Sequence, residues 1–511
     1  MKPDKSTQQQ AALLFATFII AICGLVYELL AGTLSSYLLG DSIYQFSLVI
    51  GLFMTSMGIG SWLSRYIEKE LPASFIRLQI LIGFLGGLTA PILFFAFAIL
   101  DNYTPLLFLL VALLGAMLGI EIPLILRILK EHASLKINVS NVFTADYIGA
   151  LIAALLFPLV LVPQLGLLQT GFLFGLLNVA IGILAIYVFK TKLPNLRSLS
   201  LFAASAVLSL LIGFVYAGHF TSQMESRLYQ DEIIYAKDSQ SQRLVVTRRR
   251  QRIRFYINGA LQFDSYDEYR YHESLVHPAL GLLHQVEQVL ILGGGDGLAA
   301  RELLRDKRIQ QITLVDLDPA VTQLFQANPL LRKLNQDALQ NPKLNIVNAD
   351  AWKFLEHNTS LFDLILIDLP DPNNVSLSRL YSDSFYQLVK QHTSQAGIIV
   401  TQATSPLYAR KAFWSIDKTL QQTAQQEQWF TLPYHAYIPS FGEWGFVMAS
   451  RHKLNPQAIQ LHNEHQFLSP TMLTQLFYFS ADMQRLPVEI NRLSTHPLLE
   501  YYEKGWAYWY Q

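Results

Sequence analysis

The sequence predicts a multi-pass α-helical membrane domain fused to an α/β Rossmann-like domain, the latter preceded by a small antiparallel β-sheet. Three observations carry this. Of 511 residues, 52% are hydrophobic and 15% charged, with a mean hydropathy of +0.29, too apolar for one ordinary globular fold. Nearly all of the excess lies before residue 218, in runs long enough for a hydrocarbon core that takes about 20 helical residues to cross. Beyond it the composition is that of a globular domain, and short apolar runs alternate with helical patterns.

Seven runs qualify as spanning helices: 11–32, 43–63, 76–100, 105–128, 142–163, 166–189 and 199–218, each bounded by charges, Pro or Gly. Small residues recur in them at helix-contact spacing, as in Gly51, Met54, Gly58, Gly60 and Ser61, or Gly83, Gly86 and Gly87. The first run lacks a small-residue cleavage site and is expected to be a retained helix. It holds the lone cysteine, Cys23, which excludes an intrachain disulfide and leaves the compartment open. Three acids, Glu28, Glu121 and Asp146, fall inside apolar runs. Ionisable groups at membrane depth are costly, so each is a candidate for cation binding, against a packing role with Ser, Thr, Tyr or Arg127 as partner.

The formal net charge is +0, and the longest basic cluster is Arg248, Arg249, Arg250, Arg252 and Arg254. On a strand, alternate members share one face, solvated or against lipid phosphate. A nucleic-acid partner is not expected.

In the second half, residues 233–263 alternate like strands around an Asn258-Gly259 turn, and a helix is expected over 269–283. Val289 to Leu292 form a buried strand that runs into Gly293-Gly294-Gly295-Asp296-Gly297, with a helix after it. Gly293 and Gly295 let the backbone turn tightly and approach a nucleoside. A second strand ends at Asp316, about twenty residues on, where a carboxylate bridges both ribose hydroxyls. A third ends before Asp350-Ala351, placed to accept from an adenine amino group. The fourth, 362–367, ends in Asp368-Leu369-Pro370-Asp371-Pro372. Two carboxylates three residues apart at a strand tip point into the ligand crevice, since a turn cap needs one acid only.

The stretch Ile257-Asn258-Gly259-Ala260-Leu261-Gln262, Asp267-Glu268, Tyr271-His272-Glu273 and His277-Pro278 resembles the spermidine-synthase (polyamine aminopropyltransferase) signature. The glycine loop, Val315-Asp316-Leu317-Asp318 and Asp368 to Pro372 follow in that family's order, and the segment Ile438 to Phe446 is similar to its membrane-fused members. The likeness covers roughly 230–450. It implies that Gln242 and Asp316 hold thioadenosine, with Asp350 and Ala351 at the adenine. Gln242 is preferred to Gln230, which lies too far from Asn258. His272 and Asp296 would contact the aminopropyl and amine groups, Asp368 would be the general base and Asp371 a second diamine anchor. The implied co-substrate is decarboxylated S-adenosylmethionine, with no metal, a diamine as acceptor and a homodimer as assembly. Putrescine is only the default acceptor, because Asn258, Leu369-Pro370, Ser241 and Phe441 stand where the family has Asp, a Ser or Thr pair, Tyr and a Tyr-containing segment.

A class I methyltransferase shares the strand order, the glycine loop and the ribose acid, but the carboxylate of intact S-adenosylmethionine sits poorly beside Asp296 and Asp368. A polyamine transporter or sensor is the rival from another class. The basic loops at 65–77, 127–136 and 190–197 belong in the cytoplasm, whereas those near Asp41, Asp101 and Pro163 carry no Lys or Arg. With seven crossings of an inner cell membrane this puts the second half outside, while its co-substrate is cytosolic. The expectation is a cytosolic catalytic domain, with one run re-entrant or interfacial or the charge rule broken. The expected domains are 1–218, 219–265, 266–455 and a C-terminal helical tail, 456–511, whose aromatic run, residues 501–510, packs on lipid, on the domain or on a second subunit.

Overall fold

A computed structural model describes residues 5–39, 42–100, 102–130, 134–229, 231–239, 242–422 and 428–509. Asp41, Asp101, Gln230, Ser241 and the end of the aromatic tail from Tyr510 lie outside them. The chain forms two compact units that meet between Ile233 and Ile234, later than 218 because the last long helix continues to Tyr229.

The first unit consists of α1 (Lys5–Leu39), α2 (Ser42–Leu63), α3 (Leu71–Ile99), α4 (Thr104–Leu129), α5 (Leu135–Leu156), α6 (Val162–Phe189) and α7 (Leu196–Tyr229). Among the described residues six helical runs are long and apolar enough to cross a membrane by length and composition, where the sequence suggested seven. The fifth and sixth expected runs are joined. A π-helical turn, Phe157–Leu161, links α5 to α6, so one run of 57 residues, Lys136–Lys192, replaces two. Fully helical it would be about 85 Å long, more than twice a hydrocarbon core, so it cannot cross once as a straight rod. Its conformation breaks at Gly166 (φ 71°, ψ 178°), where the sixth run was expected to begin.

Close backbone approaches run through this unit, at the small residues whose spacing suggested helix contacts. A Cβ on Gly119 would lie 2.0 Å from the Met57 carbonyl oxygen, and one on Gly60 1.9 Å from that of Ala116. A Cβ on Gly83 would lie 2.6 Å from the Gly175 carbonyl oxygen, and one on Gly86 2.6 Å from the Tyr27 ring. Gly51 and Gly58, which the spacing also nominated, face open space. Leu109, Leu151, Leu155, Leu201, Leu208 and Val215 are exposed, so the outside of the unit is apolar while Gln79, Glu121 and Asn178 are buried within it.

The contacts also fix helix directions. Phe53 meets Gly115 where Met57 meets Gly119, so α2 and α4 are parallel. Gly83 meets Gly175 and Gly87 meets Gly171, so α3 and α6 are antiparallel. Leu210 reaches Gly87 and Gly175 while Gly213 meets Phe172, which sets α7 antiparallel to α6. The described parts of the segments 65–77, 127–136 and 190–197 therefore share one end of the unit, and α7 leaves from the other.

The second unit opens with a four-stranded antiparallel sheet: β1 (Glu232–Asp238), β2 (Arg243–Arg249), β3 (Arg252–Ile257) and β4 (Ala260–Asp264). Asn258 (φ 50°) and Gly259 (φ 82°) make the β3–β4 turn, the pairing expected of Asn-Gly. Arg252 and Arg254 both pair with the buried Asp264, so the basic cluster is partly neutralised and Arg248 to Arg250 remain exposed.

There follow α8 (Glu268–Leu280), β5 (Gln288–Gly293), α9 (Leu298–Leu303), β6 (Gln311–Asp316), α10 (Pro319–Ala327), α11 (Pro329–Asn335), β7 (Leu344–Asn348), α12 (Ala351–His357), β8 (Phe362–Asp368), α13 (Val375–Ser378), α14 (Asp383–Gln391), β9 (Thr393–Gln402), α15 (Arg410–Gln421), β10 (Phe430–Ile438), β11 (Gly442–Ser450), α16 (Pro470–Leu476) and α17 (Pro497–Ala507). Seven strands form one sheet in the order β10-β11-β9-β8-β5-β6-β7. β7, β6, β5, β8 and β9 are parallel, whereas β11 runs antiparallel to both its neighbours. The parallel core strands are continuous runs of Val, Ile and Leu because helices cover both faces. Strand order reverses at β5, so the crevice at the carboxyl ends of β5, β6 and β8 is where such a sheet binds ligands. The aromatic tail packs on this unit, with Trp506 against Tyr408 at 5.1 Å between centroids and Leu498 fully buried.

Gly119→Val should lower the thermal midpoint of the detergent-solubilised chain by roughly 5 °C, an overpacking cost of about 1–3 kcal/mol. Gly58→Ala, with nothing within 4 Å of the added methyl, should leave it unchanged; equal effects at the two sites would refute the contact assignment.

Candidate active site

The crevice is organised by one register. Gly293, the last residue of β5, is paired with Asp368, the last of β8. A Cβ on Gly293 would stand 2.0 Å from the Asp368 carbonyl oxygen, and Gly293 has φ 89°, so both the space and the conformation require glycine. Gly294 and Gly297 also have positive φ. The loop then turns its amides toward the next strand end. Asp316 accepts from Gly295 N–H at 3.0 Å and from Asp318 N–H at 2.9 Å, and a Cβ on Gly295 would lie 2.4 Å from the Asp316 carboxylate. Burial pushes Asp316 up to about 6 against those two amide bonds, and Asp296 and Asp318 push the same way.

Asp368 accepts from the Tyr271 hydroxyl at 2.6 Å. Burial raises its carboxyl above the ordinary range, while the nearby His272 and the Tyr271 hydrogen bond pull it down. Asp371 is raised to about 6, again by burial, although Tyr502, Gln402 and Thr404 donate to it. Gln402 Nε2 lies 3.3 Å and Thr404 Oγ1 3.4 Å from its two oxygens. Gln402 also donates to the Leu369 carbonyl at 2.7 Å, and the Tyr381 hydroxyl donates to the carbonyls of Leu369 and Pro370 at 3.1 and 3.0 Å. Thus the Leu369-Pro370 pair, which offers no hydroxyl of its own, is held by its backbone. Thr404 has φ 54°, costly for a β-branched residue and the kind of strain that clusters at functional sites.

His272 lies on α8 and faces the same field. Its Nδ1 is 2.8 Å from the Glu268 carbonyl and 2.8 Å from a Glu268 carboxylate oxygen. Burial disfavours the imidazolium, but Glu268, Asp296 and Asp368 outweigh it and carry the group up to about 9. Behind Glu268 stands a buried relay: Arg301 grips its carboxylate in a fork at 2.8 and 3.0 Å and donates to Glu302 at 2.9 Å, and Glu302 pairs with His277 at 2.9 Å. Burial raises Asp296 to about 6, with Asp368 adding to it and His272 opposing. Its Oδ1 accepts from Leu298 N–H at 2.9 Å. The site therefore gathers several carboxyls around one imidazolium, a field suited to a polycationic ligand.

The other expected residues fall nearby or have competing duties. Gln242 opens β2 in a tight turn with Ser239, whose hydroxyl donates to Asp318, just beyond the β6 end. Asp350 accepts from Trp352 and Lys353 N–H as the N-cap of α12 and pairs with Arg379. Ala351 is buried at the first position of that helix. Tyr271 and Glu268 stood inside the quoted signature without an assigned part. Gln402, Thr404, Tyr381 and Tyr502 carried no local signal; the fold alone brings them to Asp371. Among the described residues no group of three or more His, Cys, Asp or Glu is arranged to hold a metal ion.

Glu268→Gln should withdraw the main support of the His272 charge. Asp368 then loses the imidazolium that lowers its pKa, and the acid limb of the kcat/KM–pH profile should move up by about one unit. A limb that stays in place would show that the relay only supports packing.

Residues 268–462 match the spermine/spermidine synthase domain. The chain is 45% identical to a polyamine aminopropyltransferase of Leptospira interrogans, over 97% of this chain and 99% of that one. To polyamine aminopropyltransferase 2 of Ralstonia nicotianae it is 46% identical, over 97% and 98%. A solved spermidine synthase from Thermotoga maritima aligns with a TM-score of 0.44 and 22% identity, over 48% of this chain and 84% of that chain. With whole-length relatives at this identity, the chain belongs to the polyamine aminopropyltransferase family.

Proposed function

We propose that the crevice transfers an aminopropyl group from decarboxylated S-adenosylmethionine to a diamine, putrescine by default, giving spermidine and methylthioadenosine. The observation that carries this is Asp368, a carboxyl with a raised pKa at the tip of β8, hydrogen-bonded to Tyr271 and one strand away from the glycine loop. An alkylammonium has a pKa of about 10.4 and no lone pair to attack with. Asp368 takes its proton, the freed nitrogen forms a bond to the aminopropyl carbon, and the C–S bond breaks with its electrons returning to sulfur. The sulfonium leaves as a neutral thioether. A base whose pKa burial has raised is better matched to this task than an ordinary aspartate.

Asp371 anchors the far ammonium of the diamine, with Gln402, Thr404 and Tyr502 keeping its oxygens in place. Asp316 holds the ribose hydroxyls and Gln242 the thioadenosine from the other side. Asp350 and Ala351 face the adenine, the latter through its backbone, since both Asp350 oxygens are already engaged. His272 and Asp296 flank the aminopropyl group. Positioning of two reactants in line supplies much of the rate. The helical unit anchors the enzyme in an inner cell membrane through lipid contacts of its apolar outside, and the catalytic unit works as a homodimer.

Asp368→Asn should reduce kcat roughly 10²–10⁴-fold while binding of methylthioadenosine, followed by calorimetry, stays within about threefold. Mass spectrometry of the products decides it: spermidine formed by the variant at the wild-type rate would remove Asp368 from the mechanism.

Two constraints pull apart over sidedness. The basic segments share the end opposite to the α7 exit, which by loop charge puts the catalytic unit across from the cytoplasm. The co-substrate is made in the cytosol, and an enzyme separated from its donor makes no product, so we place the catalytic unit in the cytosol. A reporter fused after Gln511 that fluoresces only in the cytosol should light up in cells; a dark fusion with active extracytoplasmic alkaline phosphatase at the same position would reverse the assignment.

A further inference from the structure

Asp368 and Asp371 are fixed by different means. Asp368 closes β8 and is held from the sheet side, by its pairing with Gly293 and by the Tyr271 hydroxyl. Asp371 lies three residues on, past the end of the strand. Gln402 Nε2 and Thr404 Oγ1 stand 3.3 and 3.4 Å from its oxygens, beyond ordinary hydrogen-bond lengths, and Tyr502 adds a donor from α17. Such contacts orient a carboxylate. Where its Cα stands is decided by the main chain of the turn.

That main chain is clamped carbonyl by carbonyl. The Tyr381 hydroxyl shares its one hydrogen between the carbonyls of Leu369 and Pro370, at 3.1 and 3.0 Å. Gln402 Nε2 donates to the Leu369 carbonyl at 2.7 Å and to the Tyr381 hydroxyl at 2.5 Å, and its Oε1 accepts from Thr404 N–H at 3.0 Å. The Asp371 carbonyl accepts from Asn373 N–H at 2.7 Å. Tyr381 is fully buried, and the chain on both sides of it is tied down. Asn491 Nδ2 donates to the Ser378 carbonyl at 2.8 Å, and the Asn491 carbonyl accepts from Asp383 N–H at 2.9 Å. Asn491 is itself anchored on α15, its N–H donating to Thr419 Oγ1 at 2.9 Å. A hydroxyl on a fixed ring therefore grips two consecutive carbonyls of a turn whose side chains, Leu369 and Pro370, carry no polar atom.

A diamine with one nitrogen at Asp368 and the other at Asp371 must span the gap between them, and each methylene moves the far ammonium. A loose turn would let Asp371 follow chains of several lengths, whereas a clamped turn rewards one. We propose that Tyr381 is a positioning residue that fixes Asp371 relative to Asp368 and so selects the acceptor by chain length, an inference that rests on the aminopropyl-transfer reading.

The test is kcat/KM of the purified full chain for 1,3-diaminopropane, putrescine and cadaverine, followed by release of methylthioadenosine. Wild type should prefer one length. Tyr381→Phe, which deletes only the hydroxyl, should shrink the ratio of the best diamine to the next by roughly three- to tenfold, through KM more than kcat, with methylthioadenosine binding within about twofold. Tyr434→Phe is the control: Tyr434 is equally buried and donates to the Ser274 carbonyl at 2.8 Å, so its loss should lower the thermal midpoint but keep the wild-type ratio. An unmoved ratio in Tyr381→Phe, an equal change in Tyr434→Phe, or a wild type indifferent to length each overturns the proposal. Should Tyr381→Phe not elute as a monodisperse protein, Pro370→Ala, which frees the same turn from within, decides, and an unchanged ratio there refutes the idea. A wild type that releases no methylthioadenosine with any of the three is a different result, and it sinks the aminopropyl-transfer reading along with the inference.

Discussion

The contact between Gly293 and the backbone of Asp368 constrains everything else in the catalytic unit. Because β5 and β8 are adjacent, parallel and in register at their ends, any side chain at 293 would drive the strands apart where Asp368 sits. The same absence of a side chain turns the loop toward β6, so that Gly295 N–H reaches Asp316. Asp368 and Asp316 are thereby set relative to each other by main-chain geometry, before any side-chain rotamer is chosen.

That geometry concentrates negative charge, and the electrostatics follow. Asp296, Asp316 and Asp371 are all pushed up to about 6 by burial, so near neutral pH the crevice keeps carboxylates ionised at a cost. His272 offsets part of it and owes its charge to Glu268, which is itself locked by Arg301. A buried Arg–Glu fork is a poor source of net stability but fixes geometry firmly. Its effect here is to hold one imidazolium among the carboxyls of the crevice. A dication relieves what remains of the repulsion, which makes the pocket selective by charge before shape is tested.

What the sequence made legible is what strands and short spacings encode. The apolar runs 289–292, 311–315, 344–347 and 362–367 are strands because Val, Ile and Leu fill a core covered on both faces, and their ends carry the acids. Asn258-Gly259 was a turn for the reason given by its positive φ values. The residues around Asp371 were hidden because they come from β9, the loop after it and the C-terminal helix, and nothing in the local pattern around Tyr502 distinguishes a site residue from a packing aromatic. Asp350 shows the converse difficulty: an acid before a helix reads equally as a ligand contact and as a cap, and here it caps. In the helical unit, hydropathy marked the apolar runs and Gly166 the break before the sixth, but not the π turn at Phe157–Leu161, which depends on packing and not on polarity.

The two units meet one physical problem in different ways. Each contains carboxyls removed from water without a permanent cationic partner: Asp371 in the crevice and Glu121 in the helical bundle. Asp371 is ringed by the Gln402 amide and by the hydroxyls of Thr404 and Tyr502, which can rotate, so its charge is tolerated. Glu121 has a single amide donor and neighbours whose remaining polar atoms go unmet. A carboxyl supplied with donors can wait ionised in a half-open crevice. One with a single amide donor, sealed among apolar helices, bears a charge only at high cost. The difference in donors, more than the difference in burial, separates the two carboxyls.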